Sequence, residues 1–116
     1  MNIWVKLGAF WMFLAVGLGA FGTHGLKWKL DAGMMDVYKT AVFYHMIHSL
    51  ALFLVGWIAS DYPNSKIFIS GYLFIAGIIL FSGSLYLLST LHLPWLGMVT
   101  PIGGLCFMLG WLLMLF

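Results

Sequence analysis

The chain has 116 residues, of which 64% are apolar and only 7% charged, against roughly half and a quarter in ordinary soluble domains. Five Lys and three Asp, with no Arg or Glu, give a net charge of +2 and form no patch that grips nucleic acid. Residues 7–26, 40–60 and 67–116 carry no formal charge, which excludes a soluble fold and specifies an integral membrane protein.

A helix rises about 1.5 Å per residue and the hydrocarbon layer is about 30 Å thick, so one crossing takes about 20 apolar residues. The first crossing spans about residues 3–22, with Lys6 near enough to its start to reach the interface. It reads as a retained crossing rather than a cleaved leader, despite the small residues Gly17, Gly19 and Ala20. Gly8, Ala15 and Gly22, with Gly19 between them, form a small-residue stripe for a neighbouring helix, while Trp4 and Trp11 face elsewhere. Residues 23–39 are the most polar segment, mixing Trp28, Met34, Met35 and Val37 with lysines and aspartates, and read as an interfacial segment able to form a short amphipathic helix.

The second crossing spans about residues 40–60. At about 100° per residue, Thr40, Tyr44, His45, His48 and Ser49 fall in one arc continued by Leu52 and Gly56. Phe43, Met46, Leu50, Phe53 and Trp57 take the other side. A polar side chain without a partner is costly in hydrocarbon, so the polar arc is expected to face the bundle interior. Asp61, Pro63, Asn64 and Ser65 make a tight turn.

The last charge-free stretch is long enough for two crossings, about 67–89 and 95–116, broken near Thr90, His92 and Pro94. Ala76, Gly83 and Thr90 are the expected seam of the third crossing, and Gly103, Cys106 and Gly110 that of the fourth. Thr100-Pro101 predicts a kink, because proline crowds the carbonyl four residues earlier, that of Gly97. Ser82, Ser84 or Tyr86 is the expected donor to the freed carbonyl. The fold expected is thus all-α, a four-transmembrane-helix bundle forming one domain over residues 1–116. Lys27, Lys29 and Lys39 in the first loop, against Lys6 and Lys66 opposite, place that loop in the cytoplasm and both termini outside.

Chemistry-bearing groups are few. His45 and His48 lie three apart and could share a metal, but the crossings contain no carboxylate, Cys106 is the sole thiol, and His24 is the only obvious third ligand. The histidines therefore read as hydrogen-bonded structural groups, with no metal expected. A haem held axially by His24 with His48 or His45 would have Lys27, Lys29 and Lys39 for its propionates. A proton pathway would lack any acidic residue within the crossings.

Four motifs in order resemble one family: Gly-Ala-Phe-Gly-Thr-His-Gly-Leu-Lys at 19–27, Tyr-His-Met-Ile-His-Ser-Leu-Ala-Leu at 44–52, Phe-Ser-Gly-Ser-Leu-Tyr at 81–86, and Thr-Pro-Ile-Gly-Gly at 100–104 followed by Gly110-Trp111. They look like the signatures of the domain of unknown function 423 family, which is similar to the transmembrane protein 256 family of eukaryotes. Thr23 stands where the family usually has Ala, and His45 where it often has Gln, which favours His24 and His48 as the matched pair. The resemblance implies a small multi-spanning protein of the bacterial inner membrane and carries no reaction with it. It also suggests one buried polar cluster of His24, Tyr44, His48, Ser82, Ser84, Tyr86 and Thr100.

The leading expectation is a non-enzymatic protein that acts by association, as a homo-oligomer or an accessory subunit of a larger membrane complex, with no catalytic residues and no resident cofactor. The alternative is intramembrane binding of a cofactor, quinone or lipid near His24 and His48. A small transporter or proton pathway is third.

Overall fold

The computed structural model describes residues 2–116, and every regular element among them is helical. Helix α1 (Ile3–His24) is followed after a stretch of turns by α2 (Ala32–Asp61), and a short turn leads to α3 (Ser65–Gly77). One π-helical turn (Ile78–Ser82) joins α3 to α4 (Gly83–Leu91), making a continuous rod from Ser65 to Leu91. The chain then reverses at His92, whose φ of 55° is the left-handed conformation that ends α4. A 3₁₀ turn (Pro94–Met98) runs into α5 (Thr100–Leu113). The four rods, of 22, 30, 27 and 20 residues, are each long and apolar enough to cross a membrane.

Side chains at the helix starts satisfy backbone donors that the first turn leaves open. Asn2 Oδ1 accepts from Val5 N at 3.1 Å, Asp31 Oδ1 from Met34 N at 2.8 Å, and Asn64 Oδ1 from Ile67 N at 3.0 Å. The Asp31 cap changes the expected layout of the first loop. Because α2 nucleates there, Met34, Met35, Val37 and Lys39 belong to its first turns, and only residues 25–31 lie outside the helices. At about 1.5 Å per residue α2 is about 45 Å long, more than a bilayer core needs, so it tilts or projects into the interface.

The rods pack in a flattened order: α1 against α2, α2 against α3 and α4, and α3 against α5. The Cα envelope measures 47 × 27 × 16 Å. Asn2 Nδ2 donates to the Gly56 carbonyl at 3.2 Å, and Lys66 Nζ sits 5.7 Å from the Phe116 ring centre, so both termini lie at one end.

The seams differ from those expected in one systematic way. Gly8, Ala15 and Gly22 of α1 are buried, as are Gly103 and Gly110 of α5. Trp4, however, turns inward and is only 4% exposed, because its ring fills the notch left by Gly71. The Phe107 ring fills the notch at Gly77, Tyr38 that at Gly22, and Phe74 that at Gly110. The third rod accordingly presents Ser70, Gly71, Phe74, Gly77 and Ser82 to its neighbours rather than Ala76, Gly83 and Thr90. Helices in lipid associate through close dispersion contact, and a ring in a glycine notch supplies more of it than two small residues face to face.

Candidate functional site

Midway along α2, two histidines point to opposite partners. The indole Nε1 of Trp111 lies 2.9 Å from His48 Nε2, and His48 Nδ1 lies 2.7 Å from the Tyr44 carbonyl. An indole N–H can only donate, so Nε2 accepts and the proton sits on Nδ1, which donates to the carbonyl. The imidazole also stacks on Phe107, with ring centres 3.6 Å apart and planes 11° from parallel. Both nitrogens of His48 are satisfied and no lone pair remains for a metal or haem iron.

His45 faces the other way. Its Nδ1 lies 2.8 Å from Tyr86 Oη, and the Trp11 indole meets the ring edge-on at 6.0 Å. Nε2 is buried and makes no well-formed hydrogen bond, its ring having only a weak polar contact with the Trp11 backbone. If the phenol donates to Nδ1, a single group is left unpaired, the Nε2–H. The opposite arrangement leaves two, the phenol proton and the Nε2 lone pair. Since each unpaired buried group costs about 1–3 kcal/mol, the first arrangement holds and His45 keeps one unused donor.

Beside this pair runs an apolar cleft of 470 Å³. Trp11, Leu14 and Leu18 of α1 form one wall, Ile79 and Leu87 of the third rod the other, and Leu96 and Val99 one end. His45, Ser84 and Tyr86 are its only polar side chains. Its volume lies within the range of small-molecule sites, about 300–1,000 Å³.

In place of the expected kink, α5 starts at Thr100 after the 3₁₀ turn, with Pro101 in its first turn where proline is tolerated, and a third polar group lies at this junction. Ser84 Oγ lies 2.6 Å from Thr100 Oγ1 and 2.9 Å from the Phe81 carbonyl, and Thr100 Oγ1 lies 3.3 Å from the Leu96 carbonyl. Two protons serve three contacts, so one hydroxyl donates to the other and the second donates to a carbonyl, that of Phe81 or of Leu96, rather than to that of Gly97. Ser82 Oγ instead donates to the Ala41 carbonyl at 2.8 Å, tying the π turn to α2.

The family DUF423, described as a protein of unknown function, matches residues 18–104. UPF0382 membrane protein YwdK of Bacillus subtilis (strain 168) is 45% identical over 114 residues, covering 97% of this chain and 93% of its own. A UPF0382 membrane protein of Staphylococcus epidermidis (strain ATCC 12228 / FDA PCI 1200) is 42% identical over 114 residues, covering 98% of this chain and 93% of its own. The chain belongs to the DUF423 family. It is a small bacterial multi-pass membrane protein of unknown function, and the lipid bilayer is its solvent. No solved structure matches it significantly.

The DUF423 motif residues do not converge on one cluster. Ser84 and Tyr86 line the cleft and Thr100 bonds to Ser84 at the start of α5, but His48 is closed off on the far side of α2. His24 is exposed at the end of α1, in a groove with Lys39, and His48 lies nine residues, or about 13 Å, further along α2. The expected His24/His48 pairing is therefore corrected: antiparallel packing sets His24 beside the first turns of α2, not its middle. Tyr44 is 38% exposed and contributes its carbonyl, not its hydroxyl. Thr40 is also exposed, its hydroxyl bonded back to Asp36. No three His, Cys, Asp or Glu side chains are grouped to hold a metal among the described residues. The resemblance favours His48 over His45, though both lie on the expected inward arc, and it gives Trp11 and Trp111 no role as histidine partners. The signal for them in the chain is aromatic residues on neighbouring rods at the depth of each histidine.

Proposed function

We propose that the protein is a non-enzymatic intramembrane binding protein whose cleft takes an apolar molecule carrying one hydrogen-bond acceptor, such as a quinone carbonyl or an acyl ester oxygen. The single observation that supports this is the buried, unpartnered Nε2 of His45 beside an otherwise apolar cleft. The Trp11 ring meets His45 edge-on at 6.0 Å in the cleft wall, and a shift of that residue on binding would bring the Nε2–H to the ligand oxygen. Mass spectrometry of the full chain released from native-membrane particles tests the reading. One apolar, carbonyl-bearing species is expected on the wild type and is lost from His45→Leu/Tyr86→Phe, which removes both polar partners together. A wild type that carries nothing but bulk lipid overturns it.

The second reading is association, with a helix of another copy or of a larger complex seated in the same cleft. Its support is the thin, 16 Å dimension of the envelope, which leaves α1 backed mainly by α2. The same spectrum separates the two readings, since a particle heavier than the 13.0 kDa chain by a protein mass favours association. We further place the protein in the bacterial plasma membrane with the first loop cytoplasmic and both termini outside, on the bias of Lys27, Lys29 and Lys39 over Lys6 and Lys66. Activity of a cytoplasm-only reporter fused at the C-terminus overturns that orientation.

A further inference from the structure

At the end of the molecule that holds the first loop, two grooves share a wall. One, of 580 Å³, is lined by His24, Lys27, Asp31 and Lys39. The other, of 320 Å³, runs along the α1–α2 seam past Gly19, Val42, Phe43 and Met46. Gly22, Thr23, Met35 and Lys39 line both, so the polar groove opens directly into the apolar one.

Their chemistry is that of an amphiphile in negative image. Two lysines and a histidine line the polar groove against one aspartate, and that carboxylate is engaged as the cap of α2. In the apolar groove the hydroxyls are taken up by backbone carbonyls: Thr23 donates to that of Gly19 at 3.1 Å and Tyr38 to that of Leu18. Gly22 takes the Tyr38 ring and Gly19 lies against Val42, so the groove runs over this packed seam and is walled by Val42, Phe43 and Met46. Depth in the bilayer fits as well. Trp28 is 87% exposed in the loop with Lys27 Nζ 5.2 Å from its ring centre, and exposed tryptophan beside lysine is the signature of the headgroup layer.

We infer that this double groove holds one anionic phospholipid, its phosphate among Lys27, Lys39 and His24 and one acyl chain along Gly19, Val42 and Met46. The site is separate from the His45 cleft and stands whether or not that cleft is a ligand site. A free phosphate would satisfy the cations but leave the apolar groove unfilled. Titrating the detergent-solubilised full chain with phosphatidylglycerol or phosphatidylcholine of identical acyl chains, read by native mass spectrometry, tests the assignment.

One phosphatidylglycerol is expected to be retained in preference to phosphatidylcholine. Lys27→Gln/Lys39→Gln should weaken its retention about thirtyfold, the scale of two lysines at a charged interface, and leave phosphatidylcholine unaffected. Val42→Trp, which fills the acyl groove, should weaken retention with every cation in place. Each variant is first shown to keep the wild-type unfolding midpoint, and Lys27→Ser/Lys39→Ser substitutes for a pair that does not. Equal retention of the two lipids, an unchanged lysine variant, or displacement of phosphatidylglycerol by millimolar glycerol phosphate overturns the proposal, the last by assigning the site to a soluble phosphate.

Discussion

The indole N–H of Trp111 ends on Nε2 of His48, 2.9 Å away and 63 residues distant in the chain. That bond selects the tautomer of the imidazole, points its other N–H at the Tyr44 carbonyl, and, beside the Phe107 stack, joins α5 to α2. It makes His48 a strut and leaves His45 as the histidine with hydrogen-bonding capacity to spare.

Trp111→Phe keeps the ring and removes the donor. Interhelical hydrogen bonds in membranes are worth about 0.6–2 kcal/mol, and a loss of that size is expected in denaturant unfolding of the detergent-solubilised chain. His48→Ala should cost more, because the stack on Phe107 goes as well. A double variant whose loss equals the sum of the two single losses would show that the bond carries no energy.

Glycine substitutions should separate two surfaces of the third and fourth rods. A Cβ on Gly103 would strike the Phe81 backbone, which cannot swing aside, whereas one on Gly83 meets nothing closer than 3.8 Å. Gly103→Ala is expected to destabilise by about 1–3 kcal/mol or prevent folding. Gly83→Ala should be neutral or stabilising by up to about 1 kcal/mol, from helix propensity alone. Thermal unfolding midpoints decide it, and equal shifts for the two would remove the packing argument.

Tyr86→Phe leaves both His45 nitrogens unpaired in the interior and should destabilise the chain by about 1–3 kcal/mol. Adding His45→Leu removes the orphaned groups, so the double variant should recover most of that loss. Failure to recover would mean that shape, rather than polarity, makes His45 necessary at that position.

Ser84→Ala and Thr100→Val each break the hydroxyl pair before α5. A double-mutant cycle is expected to show coupling of about 0.6–2 kcal/mol, and independent effects would mean that each hydroxyl serves only its own rod.

The four crossings, the break at His92 and Pro94, and the turn at 61–65 are legible in the chain because they depend only on local composition: where charge is missing, where proline and asparagine gather, and how long an apolar run is. The inward arc of α2 is partly legible for the same reason, and His45, His48 and Ser49 are buried as expected. The start of α2 is less so. Residues 32–39 read as interfacial by their charges, yet the Asp31 cap commits them to helix.

Partner choice belongs to the tertiary structure. A helical pattern assigns residues to a face but does not say which rod that face meets or at what depth. The sequence by itself therefore determined a four-rod membrane protein with scarce polar groups. Only packing decided that Trp4 fills Gly71, that His24 sits with Lys39 instead of His48, and that of two histidines one turn apart, one is saturated and the other keeps an idle donor. The physical reason is that hydrogen bonds and ring contacts between rods depend on relative height and rotation. These follow from antiparallel packing and from where each glycine notch admits a ring, relations between segments far apart in the chain.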